Sequence, residues 1–130
     1  MMRSILVIDD EADICEIAKV SLQITNQWQV ITAMTGHEGV AIAISQQPDA
    51  ILLDIVMPEV DGLITLRTLK ATPATQSIPV IMLTATSNII TQRQYVELGA
   101  AAVVSKPFDP GILGQQIAIA LNWHLEEPLR

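Results

Sequence analysis

A chain of 130 residues that is 50% hydrophobic can bury one sizeable core, and with aromatic residues at 3% that core must be aliphatic. Acidic residues outnumber basic ones 14 to 7, and the resulting net charge of −7 comes with no clustered basic patch, which excludes a direct electrostatic grip on nucleic acid. The single cysteine, Cys15, excludes an internal disulfide, and neither a signal peptide nor the roughly 18 apolar residues of a membrane span is present, so a cytoplasmic protein is expected.

In chain order, Ser4-Ile5-Leu6-Val7-Ile8 is a short apolar run that stops at Asp9-Asp10-Glu11. That is the pattern of a buried strand ending in an acidic cluster. Residues 12–23 read as a helix with Ile14, Ile17, Ala18 and Leu22 on one face, and Glu11 and Asp13 suit its first turn. A second strand is expected over 28–32. A second helix over 36–45, with Val40, Ala41 and Ile44 inward, breaks at Gln46-Gln47-Pro48-Asp49.

The third strand, 50–53, ends abruptly on Asp54, and a turn with Pro58 and Gly62 follows. A third helix over 62–69 presents Leu63, Leu66 and Leu69, and a Thr- and Pro-rich loop covers 71–79. The fourth strand, 80–83, ends on Thr84, and a fourth helix over 89–98 stops at Gly99. The fifth strand, 102–104, leads into Ser105-Lys106-Pro107. Asp109 is then expected to cap a last helix over 110–123, with Pro110 at its first position, followed by a short tail over 124–130.

Five strands alternating with helices imply an α/β fold, a doubly wound parallel sheet covered on both faces. Ligands in such folds bind at the carboxyl ends of the strands. Those ends carry Asp9 and Asp10, then Thr32, Asp54, Thr84 and Lys106. A desolvated carboxylate such as Asp54 needs a cation, a donor or a task. Three acids together would repel one another, and a hard divalent cation such as Mg²⁺ relieves that repulsion. A carboxylate beside such a metal can be a nucleophile toward a phosphoryl group. Lys106 and the Thr84 hydroxyl could then receive the phosphoryl oxygens.

Asp9-Asp10, Asp54-Ile-Val-Met-Pro-x-x-Asp-Gly, Thr84-Ala85 and Lys106-Pro107, in that order, resemble the receiver domain of bacterial response regulators. The resemblance spans the chain as one domain, with a core over about 4–123. It implies a flavodoxin-like (βα)5 fold of strand order 2-1-3-4-5. It further implies that Asp54 accepts a phosphoryl group from a sensor histidine kinase or phosphotransfer protein. Asp10, Asp54 and the Val56 backbone carbonyl would ligate Mg²⁺, with Asp9 acting through a water. Thr84 and Lys106 would hold the phosphoryl group, and the Lys106–Pro107 bond would be cis. Such a module is a signalling switch rather than an enzyme. At most it phosphorylates itself from small donors and slowly loses the group, and it is read by a downstream protein target.

One position departs from the family. The switch residue three before the lysine, commonly Tyr or Phe, is Val103, so coupling from Thr84 to the far face is expected to be weaker or different. Val56 and Thr86 flank the site, and the apolar Val56 cannot position a hydrolytic water, so the phosphoryl lifetime should not be extremely short.

The last helix carries two apolar stripes. Leu113, Ile117, Ala120 and His124 share one, and Ile112, Ile119 and Trp123 form the other. In receivers the fourth helix, fifth strand and fifth helix form a common dimer or partner face. Ile112, Ile119 and Trp123 are therefore expected to help make a protein interface, joined by Tyr95; the alternative for Trp123 is to fold back on its own domain. Cys15 reads as core filler, His37 and His124 as surface residues, and Glu59 and Asp61 as solvated loop acids. A Mg²⁺-dependent phosphohydrolase is the alternative function. It would want Asp-x-Asp after the first strand, which Asp9-Asp10-Glu11 does not match, and a cap domain. A flavodoxin-like cofactor carrier is excluded because the same acids would repel its phosphate. A start at Met1 and a stop soon after the last helix favour a stand-alone regulator.

Overall fold

The computed structural model describes residues 3–54, 62–85 and 89–123, of which 89–91 as backbone only. Five strands, β1 (Ser4–Ile8), β2 (Gln29–Ala33), β3 (Ala50–Asp54), β4 (Val80–Thr84) and β5 (Ala102–Ser105), alternate with five helices. These are α1 (Ala12–Asn26), α2 (Gly36–Gln46), α3 (Gly62–Ala71), α4 (Ile89–Glu97) and α5 (Leu113–Ala120). All strand pairs are parallel, in the order β2-β1-β3-β4-β5.

Side chains alternate across each strand with period two, and the two halves build two cores. Ile5 and Val7, Ala50 and Leu52, and Ile81 and Leu83 meet Ala18, Leu22, Leu113 and Ile117 of α1 and α5. Leu6 and Ile8, Ile51 and Leu53, and Val80 and Met82 meet Ala43, Leu66, Leu69 and Tyr95 of α2, α3 and α4. A central strand buried on both faces has no position for a polar residue until it leaves the sheet. This is why β1 and β3 are unbroken apolar runs that deliver their first carboxylates at the rim. The register pairs Ile8 with Leu53 and Asp54 with Leu83, which brings those rim residues side by side.

Several helix faces are rotated from the periodicity reading. On α1 the buried positions are Cys15, Ala18, Ser21 and Leu22, whereas Ile17 is exposed. That helix runs on to Asn26, where Gln27 adopts a left-handed conformation and donates its N–H to Gln23 O. On α2 the buried positions are Gly36, Gly39 and Ala43, and Ala41 and Ile44 face solvent. Gly39 sets this orientation: a Cβ there would meet Ile8 Cγ1 at 2.7 Å, so only glycine lets α2 lie this close to β1. Thr35 caps α2, its Oγ1 accepting from Glu38 N at 3.1 Å, while the Glu38 carboxylate accepts from Met34 N.

The largest revision concerns the last helix. It spans Leu113–Ala120, not 110–123. Asp109 does not cap it. Its carboxylate accepts from Gly111 N at 2.8 Å and its carbonyl from Ile112 N at 3.1 Å, which closes a separate turn that places Pro110 second. The docking face of α5 is Leu113, Gly114, Ile117 and Ala118, with Ala120 exposed.

Candidate functional site

The local sequence of β1 explains the first part of the site. Asp9 follows the strand, donates its N–H to Ala33 O at 3.0 Å and is wholly buried. Its Oδ1 accepts from Glu11 N at 2.9 Å, an Asx-type turn two residues on that fixes the carboxylate. Its Oδ2 accepts from Lys106 Nζ at 3.1 Å. Asp54, the last residue of β3, is 4% exposed, and its Oδ1 lies 3.1 Å from the same ammonium. Asp10 is half-buried beside them. Asp9, Asp10 and Asp54 each offer an oxygen within 4.8 Å of the others, a group that could hold a metal ion. Hard carboxylate oxygens at that spacing fit Mg²⁺.

Thr84 ends β4 at 6% exposure, and its carbonyl accepts from Lys106 N at 2.7 Å. That bond, together with the pairing of Thr84 with Ser105, ties the lysine's backbone to the end of β4. The Lys106–Pro107 peptide is cis. Burial alone would lower the pKa of Lys106, but hydrogen bonds and charge from Asp9 and Asp54 outweigh it and raise the ammonium above its ordinary value. Asp9, Asp10, Asp54, Thr84 and Lys106 thus lie on one rim. Thr32 does not mark it, because β2 continues to Ala33 and Thr32 pairs with Val7 inside the sheet.

Cys15 is a neighbour that sequence reasoning placed only in the core. It is buried, and its Sγ–H donates to Asp9 O at 3.3 Å. Burial, helped by the charge of Asp9, pushes the thiol up to about 11. The six-residue offset from Asp9 was the available signal, since it places Cys15 in the first turn of α1, next to the end of β1. His37 is exposed, as expected. Val56, Glu59, Asp61, Thr86 and His124 lie outside the described residues.

The expected interface residues divide. Ile112 and Ile119 are exposed, Ile119 at 70%. Trp123 instead folds back on its own chain, packing edge-on against Trp28 with ring centroids 5.5 Å apart. Its position three residues beyond the end of α5, after Asn122 turns left-handed, takes it out of the Ile112–Ile119 stripe. Tyr95 does not join that surface either: it is buried in the core formed with α2 and α3. Val103 is half-buried and packs against the same core.

Comparison with known proteins then decides the family, because residues 5–118 match the model of the response regulator receiver domain. The chain belongs to that family. The receiver is 38% identical over 108 residues to the DNA-binding dual master transcriptional regulator RpaA of Synechocystis sp., a match covering 83% of this chain and 44% of that protein. It is 36% identical over 120 residues to the phosphate regulon transcriptional regulatory protein PhoB of Pseudomonas aeruginosa, covering 92% and 52%. The receiver therefore spans about half the length of these curated relatives. In three dimensions it resembles the chemotaxis response regulator CheY4 of Vibrio cholerae, with a TM-score of 0.86, 26% identity, and coverage of 92% of this chain and 99% of that one. The fold is thus CheY-like, and the sheet order expected from the sequence is the one observed. Among the described residues no helix is long and apolar enough to cross a membrane.

Proposed function

We propose that the receiver accepts a phosphoryl group on Asp54 from a phosphohistidine of a sensor histidine kinase or phosphotransfer protein. The observation that carries this reading is the placement of Asp54 Oδ1 3.1 Å from Lys106 Nζ, within a group of three carboxylates. An Asp54 oxygen forms the new P–O bond as the P–N bond to the donor imidazole breaks. Phosphoryl transfer needs alignment and charge neutralisation more than covalent assistance. Lys106 supplies positive charge, and Thr84 offers a hydroxyl to a phosphoryl oxygen. Asp10 and Asp54, with the Val56 carbonyl, would hold Mg²⁺ directly and Asp9 through a water. When bound, the ion neutralises charge on the transferring group.

Phosphorylation adds roughly −1.5 to −2 charge at neutral pH. Lys106 then exchanges carboxylate partners for phosphoryl oxygens, and Thr84 moves toward them. With Val103 in place of an aromatic, the change passes through the chain beginning at Ala85 rather than through a swinging ring. A downstream protein target reads it on the α4–β5–α5 face, where Ile112 and Ile119 stand exposed and where a homodimer could form. The residues over 4–123 act as one receiver core with a tail over 124–130, in the cytoplasm and without direct nucleic-acid contact. Its own chemistry stops at self-phosphorylation from small phosphodonors and slow autodephosphorylation. No observation favours the phosphohydrolase alternative.

Beryllofluoride, a phosphoryl mimic, tests the site without covalent chemistry. With Mg²⁺ present, amide resonances of Thr84, Ala85 and Lys106 should move to new positions. With Mg²⁺ omitted, or with Asp54→Ala, they should stay. Equal shifts without Asp54 would refute the assignment.

A further inference from the structure

The last helix is a weak element by its own sequence. It has eight residues, no side-chain cap at its start and no basic residue in its last turn. Isolated helices shorter than about 12–15 residues are marginal in water, so α5 depends on tertiary contacts. Two of its four buried residues are Gly114 and Ala118, which bring little apolar surface. Its seam with α1 also holds an unpaid polar group: Asn26 Oδ1 is buried without a hydrogen-bond partner, and the Asn26 amide occupies the space over Gly114. A buried acceptor without a donor favours opening, because water would satisfy it.

Against this weakness stands one dense contact at the far end of the helix. The Arg3 guanidinium carbon lies 4.0 Å from the centroid of the Trp123 ring, and Trp28 meets that ring at 86°. Both partners are rooted in the sheet edge. Arg3 O accepts from Gln29 N at 2.8 Å, which locks the entry of β1 to that of β2, and Trp28 is buried. Trp123 is in turn fixed to its helix by donating its N–H to Ala118 O at 2.8 Å. Cation–π and edge-on aromatic contacts are short-ranged and directional, so the cluster is either made or lost.

We propose that Arg3, Trp28 and Trp123 form a latch that fastens α5 to the sheet edge opposite the phosphoacceptor rim, and that α5 opens as a unit when the latch releases. The open state uncovers Trp28 and the inner residues Leu113 and Ile117, while β1, β3 and β4 keep their pairing. The proposal rests on packing alone and stands whether or not Asp54 is phosphorylated.

Hydrogen exchange on the full chain, read by mass spectrometry together with tryptophan emission, tests it. Trp123→Ala should speed exchange over 113–121 by about tenfold to a hundredfold. Peptides from β1, β3 and β4 should keep wild-type rates. Trp28, then the only tryptophan, should emit further to the red than it does in Trp123→Phe, which retains an aromatic edge and should exchange nearly as wild type. Arg3→Gln removes a surface charge without touching the core, and should speed the same α5 segment by about twofold to fivefold. This variant decides the matter if Trp123→Ala fails to fold. Uniform acceleration of all peptides, or unchanged α5 exchange in the folded variants, would overturn the latch.

Discussion

The ammonium of Lys106 lies 3.1 Å from Asp9 Oδ2, joining the end of β1 to the residue that follows β5. The same ammonium reaches Asp54, so one lysine neutralises two of three clustered acids. Lys106 is therefore the resident counter-ion of the rim, and a divalent cation must compete with it for Asp9 and Asp54. Lys106→Ala should bind Mg²⁺ about threefold to tenfold more tightly, since removing the competitor leaves the carboxylates more strongly negative. It should also lose about 1–3 kcal/mol of stability in chelator, discounted for the lysine's partial exposure, and regain part of that with Mg²⁺. Urea titrations with and without the ion, alongside calorimetric Mg²⁺ binding, check both.

Alkaline pH should weaken the fold in two stages. The Cys15 thiol is raised from 9.0 to about 11 in the folded state, so between those values the unfolded chain loses its thiol proton first. The Cys15 contribution to stability falls across that window. Lys106 is also raised above 10.5, so its contribution is complete below that value and disappears as pH climbs through the folded-state pKa. In urea midpoints measured against pH, Cys15→Ala should flatten the stretch from about 9 to 10.5 and leave the later decline. Identical curves for the two proteins would contradict the assignment to Cys15.

Gly39→Ala should cost about 1–3 kcal/mol by overpacking, because the new methyl meets the Ile8 side chain. Ile8→Val removes Cδ1, the nearest of the atoms that would be struck, and leaves Cγ1 in place, at a cost of about 0.5–1.5 kcal/mol by itself. The double variant should be less destabilised than the sum of the two. Strict additivity in denaturation would mean that Ile8 is not what holds the place of Gly39.

Ile119→Glu should leave stability within about 0.5 kcal/mol, because Ile119 is exposed. If the α4–β5–α5 face carries a dimer, the beryllofluoride-bound wild type should sediment as a dimer at concentrations where this variant remains monomeric. Unchanged association would remove Ile119 from any such interface.

The placement of the rim residues was legible because they stand at strand ends. An apolar run buried on both faces leaves the first following polar residue at the rim, so Asp9, Asp54 and Thr84 could be placed from sequence. The helix orientations were less legible. Leucine and isoleucine periodicity put Ile17 and Ile44 inward, but the close packing of Gly39 on Ile8 and of Cys15 near Asp9 chose other faces. Small residues that permit contact leave no hydrophobic signal. Pro110 and Asp109 carry the signature of a helix start and also that of a turn, and the Asp109–Gly111 bond selected the turn. Trp123 was assigned by helical spacing to a helix that ends before it. The sharing of Lys106 between two acids needed the fold, since its partners lie 97 and 52 residues away.

The most direct measurement is the intact mass of the receiver after incubation with a small acyl-phosphate donor, with and without Mg²⁺, for wild type and Asp54→Ala. A single phosphoryl adduct is predicted on the wild type, only with Mg²⁺, and removable by alkaline hydroxylamine as an acyl phosphate must be. The same adduct on Asp54→Ala, or one that resists hydroxylamine, would contradict the assignment of Asp54 as the phosphoacceptor.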